Sequence, residues 1–187
     1  MDTAQLNNEQ REAVMHTEGP LLVLAGAGSG KTRVLTQRIA YLIEHNGVHP
    51  QHILALTFTN KAAGEMRERV EALLGIPASG MWVMTFHSFC ARILRMDIEH
   101  LGYERAFVIY DDADQQSLLK KIIKEMSLND KVFTARSLSG QISDAKNHSD
   151  KPLAYLREAH APREIIGAFE RYEKHLKLSN AVDFDDL

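Results

Sequence analysis

The chain has 187 residues, 44% of them hydrophobic and 25% charged, and its 22 lysines and arginines against 25 acids leave a formal net charge of −3. Such a composition supports a real core and excludes both a disordered chain and a generally basic nucleic-acid coat, while backbone amides and hydroxyls can still form a local phosphate groove. A single cysteine, Cys90, excludes an internal disulfide; with no long apolar span and no N-terminal apolar h-region, the expectation is a cytoplasmic protein without a membrane partner.

The first predicted element is a short helix at Leu6 to Val14, with Asn7 or Asn8 as its cap and early acids that suit the helix dipole. Leu21-Leu22-Val23-Leu24 then reads as a short buried strand. It runs into Ala25-Gly26-Ala27-Gly28-Ser29-Gly30-Lys31-Thr32 and on into an amphipathic helix carrying Val34, Leu35, Ile39, Leu42 and Ile43. Strand, glycine loop and helix in this order make a phosphate-binding turn. Gly26, Gly28 and Gly30 allow left-handed dihedrals that turn backbone N–H groups inward at a helix N-terminus. Lys31 is placed to reach β- and γ-phosphates and the Thr32 hydroxyl to ligate Mg²⁺, so the ligand expected is a nucleoside triphosphate with magnesium. Ala25 stands where the generic pattern begins with glycine, and would be strained if its φ were positive.

Ile53 to Phe58 predicts a second buried strand, followed by a helix with Ala62, Met66, Val70 and Leu73 inward. Trp82 to Phe86 predicts a third, followed by a helix from His87 or Ser88 with Phe89, Ile93, Met96 and Leu101 toward the core. Three strand–helix units imply right-handed crossovers and a parallel, doubly covered α/β sheet, with ligands at the carboxyl ends of its strands. Phe107 to Tyr110 gives a further short strand, and from Asp111 to about Ser179 the pattern is all-helical. Leu118, Leu119, Ile122, Ile123 and Met126 line one helix. Leu138, Ile142 and Ala145 line a second behind a Thr134 cap, Pro152 opens a third, and Pro162 opens a long one with Ile165, Ile166, Phe169, Tyr172 and Leu176 inward. In Asp183-Phe184-Asp185-Asp186-Leu187 a magnesium-binding strand end is rejected, because Ser179 to Val182 is too poor in apolar residues to form the buried strand it needs; helix capping is preferred. The His87 and Cys90 pair reads as a helix end and a buried thiol rather than a catalytic dyad, and the nine histidines show no metal-ligand spacing.

Four stretches together, Leu6-Asn7-Asn8-Glu9-Gln10, Ala25 to Arg33, Thr57 to Ala63 with Glu65-Met66-Arg67, and Thr85-Phe86-His87-Ser88, resemble the amino-terminal part of UvrD/PcrA/Rep-type superfamily 1A DNA helicases, most nearly the PcrA-like branch. The likeness covers essentially the whole chain, and the family's AGAGSGKT begins with the same alanine. It implies a P-loop NTPase, RecA-like parallel sheet, left incomplete, with an all-helical inserted subdomain. Residues 1–110 would begin motor domain 1A, 111–180 form helical subdomain 1B, and 181–187 start the return into 1A.

The resemblance also implies that Gln10 reads adenine, that Arg33 packs beside the base, and that Ala25, Gly26, Ala27, Gly28, Ser29, Gly30, Lys31 and Thr32 hold ATP with Mg²⁺ on Thr32. Lys31 and Thr32 would be the catalytic members. Phe58, Thr59, Asn60, Thr85 and His87 would meet single-stranded DNA. Asn60 and His87 suit a helix end equally well, and Phe58 a core position. The implied parent is an ATP-dependent 3′–5′ helicase or translocase of DNA repair or replication. It acts at single strands and duplex junctions and has a second motor domain and a downstream Asp-Glu magnesium motif that this sequence lacks, so the 187 residues alone are expected not to hydrolyse ATP. Two alternatives stand beside it. One is a small P-loop kinase with a helical lid, for which Arg136, Arg157, Arg163 and Arg171 are too dispersed; the other is a non-enzymatic nucleotide- or DNA-binding fragment.

Overall fold

The computed structural model describes residues 6–77 and 79–187, which fall into two compact units divided between Phe89 and Cys90. In the first, helix α1 (Asn8–Met15) starts at an Asn7 cap whose side chain accepts the Gln10 N–H at 2.8 Å, while Gln10 Oε1 accepts the Asn7 N–H at 3.1 Å. This reciprocal box satisfies two otherwise orphaned amides. Helix α2 (Lys31–Glu44) follows the glycine loop, then strand β1 (Leu54–Thr57), helix α3 (Asn60–Leu74) and strand β2 (Trp82–Thr85). β1 and β2 are parallel neighbours in the register Leu54 to Trp82 through Thr57 to Thr85. Ile39 of α2, Met66 and Val70 of α3, and Ala55 and Val83 of the strands form the core between sheet and helices. Arg67 of α3 donates to the Val83 carbonyl at 3.1 Å.

Several expectations shift here. The segment Leu21 to Gly26 carries no strand, and among the described residues none pairs with it. Its relative exposures alternate, at 40, 80, 42 and 85% for Leu21, Leu22, Val23 and Leu24, so the two-residue rhythm of a strand is present without its hydrogen-bonded neighbour. The parallel sheet is therefore a single pair rather than three consecutive strands. On α3 the buried alanine is Ala63, not Ala62, and Leu73 is half-buried. The next helix, α4 (Phe86–Asp97), begins immediately after β2 and buries none of its residues; Met96 and Leu101 are exposed, and Ile98, on the short 3₁₀ turn that follows, takes the buried position instead. Cys90 is half-buried.

The second unit holds strand β3 (Val108–Ile109), helices α5 (Asp112–Glu125), α6 (Ala135–His148), α7 (Pro152–Glu158) and α8 (Arg163–Leu178), and strand β4 (Ala181–Val182). Asp111 caps α5 in a box with Asp114, Thr134 caps α6 through the Ser137 N–H, and Pro152 occupies the first turn of α7. Leu119 and Ile122, Leu138 and Ile142, and Phe169 and Tyr172 meet in its core. Ser179 to Val182 was expected to yield no strand, yet β4 pairs in parallel with β3 and both its residues are buried. Asn180 makes this possible: at φ +47° its side chain bonds the Glu104 backbone at both N–H (2.8 Å) and C=O (3.3 Å), fixing the start of a strand too short to show a periodicity. Directly after it, Asp183 and Asp186 accept each other's backbone N–H at 3.0 Å, the geometry of a helix start. The unit begins at Cys90 although the element pattern changes near 111, because Ile98 and Phe107 share a buried cluster with Val182.

Candidate functional site

The glycine loop closes on itself through Ser29, whose Oγ donates to the Gly26 carbonyl at 2.7 Å. Gly28 and Gly30 adopt φ of +76° and +86°, as a loop that turns its amides inward requires, whereas Gly26 and Ala25 do not. The alanine is thus accommodated without strain. Around Gly26 and Gly28 a methyl group would meet no heavy atom within 4 Å, so no neighbour crowds the backbone at either position. At Gly30 it would come within 3.0 Å of Gln10 Nε2.

Gly30 is the N-cap of α2 and offers no side-chain acceptor, and the first turn contains no acid. Helices α1 and α5 instead close their N-termini with a capping box and acids. The start of α2 therefore keeps the positive end of its dipole, reinforced by Lys31 and Arg33, and suits an oxyanion. Lys31 Nζ lies across the loop and donates to the carbonyls of Ala25 (2.8 Å) and Gly26 (2.7 Å). Thr32 and Arg33 are exposed on the first turn.

Gln10 is brought to this loop from α1: its Nε2 donates to the Ser29 carbonyl at 3.0 Å. Asn7, Gln10, Ala25, Gly26, Ser29 and Lys31 border a cavity of about 330 Å³. Sequence reasoning missed Arg38, which donates to the Ala13 carbonyl at 2.7 Å and to the His16 carbonyl, and so fixes the end of α1 against α2. Its only signal was a cation on the buried side of an amphipathic helix.

A second group of residues gathers at the carboxyl ends of β1 and β2. Phe58 follows Thr57 and is 93% exposed, which excludes the core position; Phe86 follows Thr85, and the two rings lie 6.0 Å apart and tilted. Phe86 was overlooked among the candidate contacts, although the parallel register places it opposite Phe58. Thr59, not Asn60, is the cap of α3, accepting the Ala62 N–H at 3.1 Å; Asn60 is the first residue of the helix and exposed. Thr85 is buried, and its hydroxyl is engaged with Ser88 Oγ at 2.8 Å and the Ser88 N–H at 3.2 Å, which turns it inward rather than outward. His87 is exposed on α4. Among the described residues, no three His, Cys, Asp or Glu side chains are grouped to hold a metal ion, and no helix is long and apolar enough to cross a membrane.

A glycine loop running into an uncapped helix start, beside a parallel strand pair edged with aromatics, accords with what comparison of the sequence finds. Residues 6–187 match the UvrD/REP helicase N-terminal domain, and the chain belongs to that family. It is 52% identical over 184 residues to the ATP-dependent DNA helicase PcrA of Bacillus subtilis, and 48% and 49% identical to the proteins of the same name from Staphylococcus aureus and Staphylococcus epidermidis. Each match covers 97% of this chain and 25% of the relative, so the chain spans about a quarter of the length of those helicases.

Proposed function

We propose that this chain is the amino-terminal portion of an ATP-dependent DNA helicase that moves 3′ to 5′ along single-stranded DNA, with residues 25–32 holding the phosphates of ATP–Mg²⁺. The observation that carries the reading is the hydrogen bond from Gln10 to Ser29, because it ties an amide able to read adenine to the glycine loop. In this reading Lys31 exchanges the Ala25 and Gly26 carbonyls for β- and γ-phosphate oxygens, and the inward amides of Gly28 to Lys31 take the remaining charge. Thr32 offers one hydroxyl to magnesium, whose role when bound is to neutralise the charge shared by those oxygens. Arg33 flanks the base by virtue of its place on the same turn.

Phe58 and Phe86 form a stacking step for bases, and Asn60 and His87 flank it with groups suited to phosphate or sugar. The second motor domain and a duplex junction would complete the working helicase. Membership in a helicase family sets aside the small-kinase alternative, and in the helical unit Arg157 is paired with Glu170 at 3.1 Å while Arg171 donates to the Gly167 carbonyl at 3.3 Å, so neither points to a phosphate clamp. The reading is tested by competing ATP and GTP against a fluorescent ATP analogue on the purified chain, in parallel with titration of a labelled single-stranded oligonucleotide. Preference for ATP and salt-sensitive oligonucleotide binding are expected; equal affinity for both nucleotides and no oligonucleotide binding would refute it.

A further inference from the structure

We propose that Lys146 and the Asp183–Asp186 turn form a proton-sensitive latch that fastens the segment after β4 onto α6 and α8. Lys146 projects from α6 with its side chain only 5% exposed, and its Nζ lies 3.0 Å from Asp183 Oδ2, 2.7 Å from Asp186 Oδ1 and 2.8 Å from Glu173 Oε1 of α8. Tyr172, fully buried one residue earlier on α8, donates its hydroxyl to Asp183 at 2.9 Å. Between these two acids, Asp185 accepts from Ser143 Oγ at 3.0 Å and Asn147 Nδ2 at 2.9 Å, both on α6. Asp183, Asp185 and Asp186 thus each grip a helix, and Lys146 is the point at which two of the three grips and both helices converge.

The charges in this cluster do not balance. One ammonium faces three carboxylates, of which Asp183 is buried while the side chains of Asp186 and Glu173 are 24% and 37% exposed, and an excess of negative charge gathered around a buried ammonium is relieved more readily by taking up a proton than by remaining ionised. The partners decide which acid takes it. Glu173 approaches Lys146 from α8 through Oε1, with its side chain 37% exposed. Asp183 is the most buried, which alone would raise it, but Lys146, the Tyr172 hydroxyl and the Asp186 amide outweigh burial and hold it below the ordinary carboxylate range. Asp186 has burial and the charge of Asp183 against it and only Lys146 and one backbone bond in its favour, and is pushed up to about 6. Tyr103, from the loop before β3, faces the same acids, and burial together with their charge raises its phenol. With Lys146, Tyr172 and Glu173 it completes the titratable groups turned toward Asp186.

The direction of the effect follows. A carboxyl that binds its proton more tightly in the closed latch than in the open one favours closure fully below its ordinary value near 3.8, and that contribution is lost as the pH rises through about 6. Asp183, depressed in the closed latch, is ionised in both forms above pH 5 and adds no slope there. Hydrogen exchange of the Asp183 and Asp186 amides in the intact 187-residue chain, expressed as protection factors, reads the latch directly. Between pH 5 and 7 the protection of these amides is expected to fall about tenfold, one decade for roughly one pK unit traversed. Asp186→Asn is expected to abolish that fall, and Lys146→Met to lower protection of residues 183–186 at every pH. A wild-type profile without the fall, or an Asp186→Asn chain that retains it, would overturn the proposal.

Discussion

Gln10 and Ser29, nineteen positions apart, are joined by a 3.0 Å hydrogen bond from the Gln10 amide to the Ser29 carbonyl. The same side chain accepts the Asn7 N–H at its other end, so Gln10 links the start of α1 to the glycine loop. Any ligand seated in the loop is thereby presented with a fixed amide rather than a mobile one.

Removing that amide separates its two roles. Gln10→Ala is expected to destabilise the chain by about 0.5–1.5 kcal/mol, the worth of a capping interaction and one further hydrogen bond. It is also expected to erase discrimination between ATP and GTP while leaving phosphate affinity largely intact. Urea denaturation reads the first effect and competition binding the second; an unchanged ATP preference would remove Gln10 from base recognition.

The aromatic step at the strand ends has a different signature. Phe58 is almost wholly exposed, so Phe58→Ala is expected to leave stability within about 0.5 kcal/mol of the parent. It should weaken single-stranded oligonucleotide binding by about 1–3 kcal/mol if a base stacks there. A double change with Phe86→Ala is expected to fall short of the sum of the single losses, because the two rings lie 6.0 Å apart and share one surface. Fluorescence anisotropy with a short oligonucleotide measures all three.

In the helical unit, Tyr172→Phe deletes the hydroxyl that Asp183 accepts at full burial. A hydrogen bond to a charged acceptor contributes about 1.5–3 kcal/mol, and the shift of the urea midpoint should report a loss of that size. A neutral effect would mean that Lys146 and the Asp186 amide suffice to satisfy the carboxylate.

Much of this organisation is legible along the chain because helix starts are local chemistry. Asn7, Asp111 and Thr134 each lie within three residues of the amides they bond, and Gly28 and Gly30 take the positive φ that their places in the loop imply. Pairing is not local. The apolar run Leu21 to Leu24 has the composition of a strand, but composition cannot name a partner, and the described residues supply none. The cap of α3 moved one residue, from Asn60 to Thr59, because β1 ends at Thr57 and the chain turns sooner than the apolar pattern indicates. Lys146 was invisible for a stronger reason: its carboxylate partners lie 37 and 40 positions away, and an isolated lysine on a helix otherwise reads as solvated. Asp183 and Asp186 were read as the cap of a helix; the described residues show the reciprocal bonds of such a cap within a turn and no helix after it, and the contacts that give the two acids a second role depend on α6 and α8.

Turnover by the purified chain should be negligible even where nucleotide binds. Lys31, Thr32 and Arg33 on the first turn of α2 can orient phosphates, but a cation or a hydroxyl at that place does not activate a water. A coupled phosphate-release assay with and without single-stranded DNA checks this; DNA-stimulated release would show that the groups needed for hydrolysis are already present.

The central claim is that residues 25–32 hold the phosphates of ATP, and calorimetric titration of ATP–Mg²⁺ into the wild-type chain and its Lys31→Ala variant tests it most directly. Lys31 is exposed and, among the described residues, bonded to loop carbonyls, so the variant should fold with an unchanged urea midpoint. Its affinity for ATP is expected to fall by at least tenfold, in keeping with loss of a charge-assisted contact of about 1.5–3 kcal/mol. Wild-type and variant chains that bind ATP equally well would contradict the account.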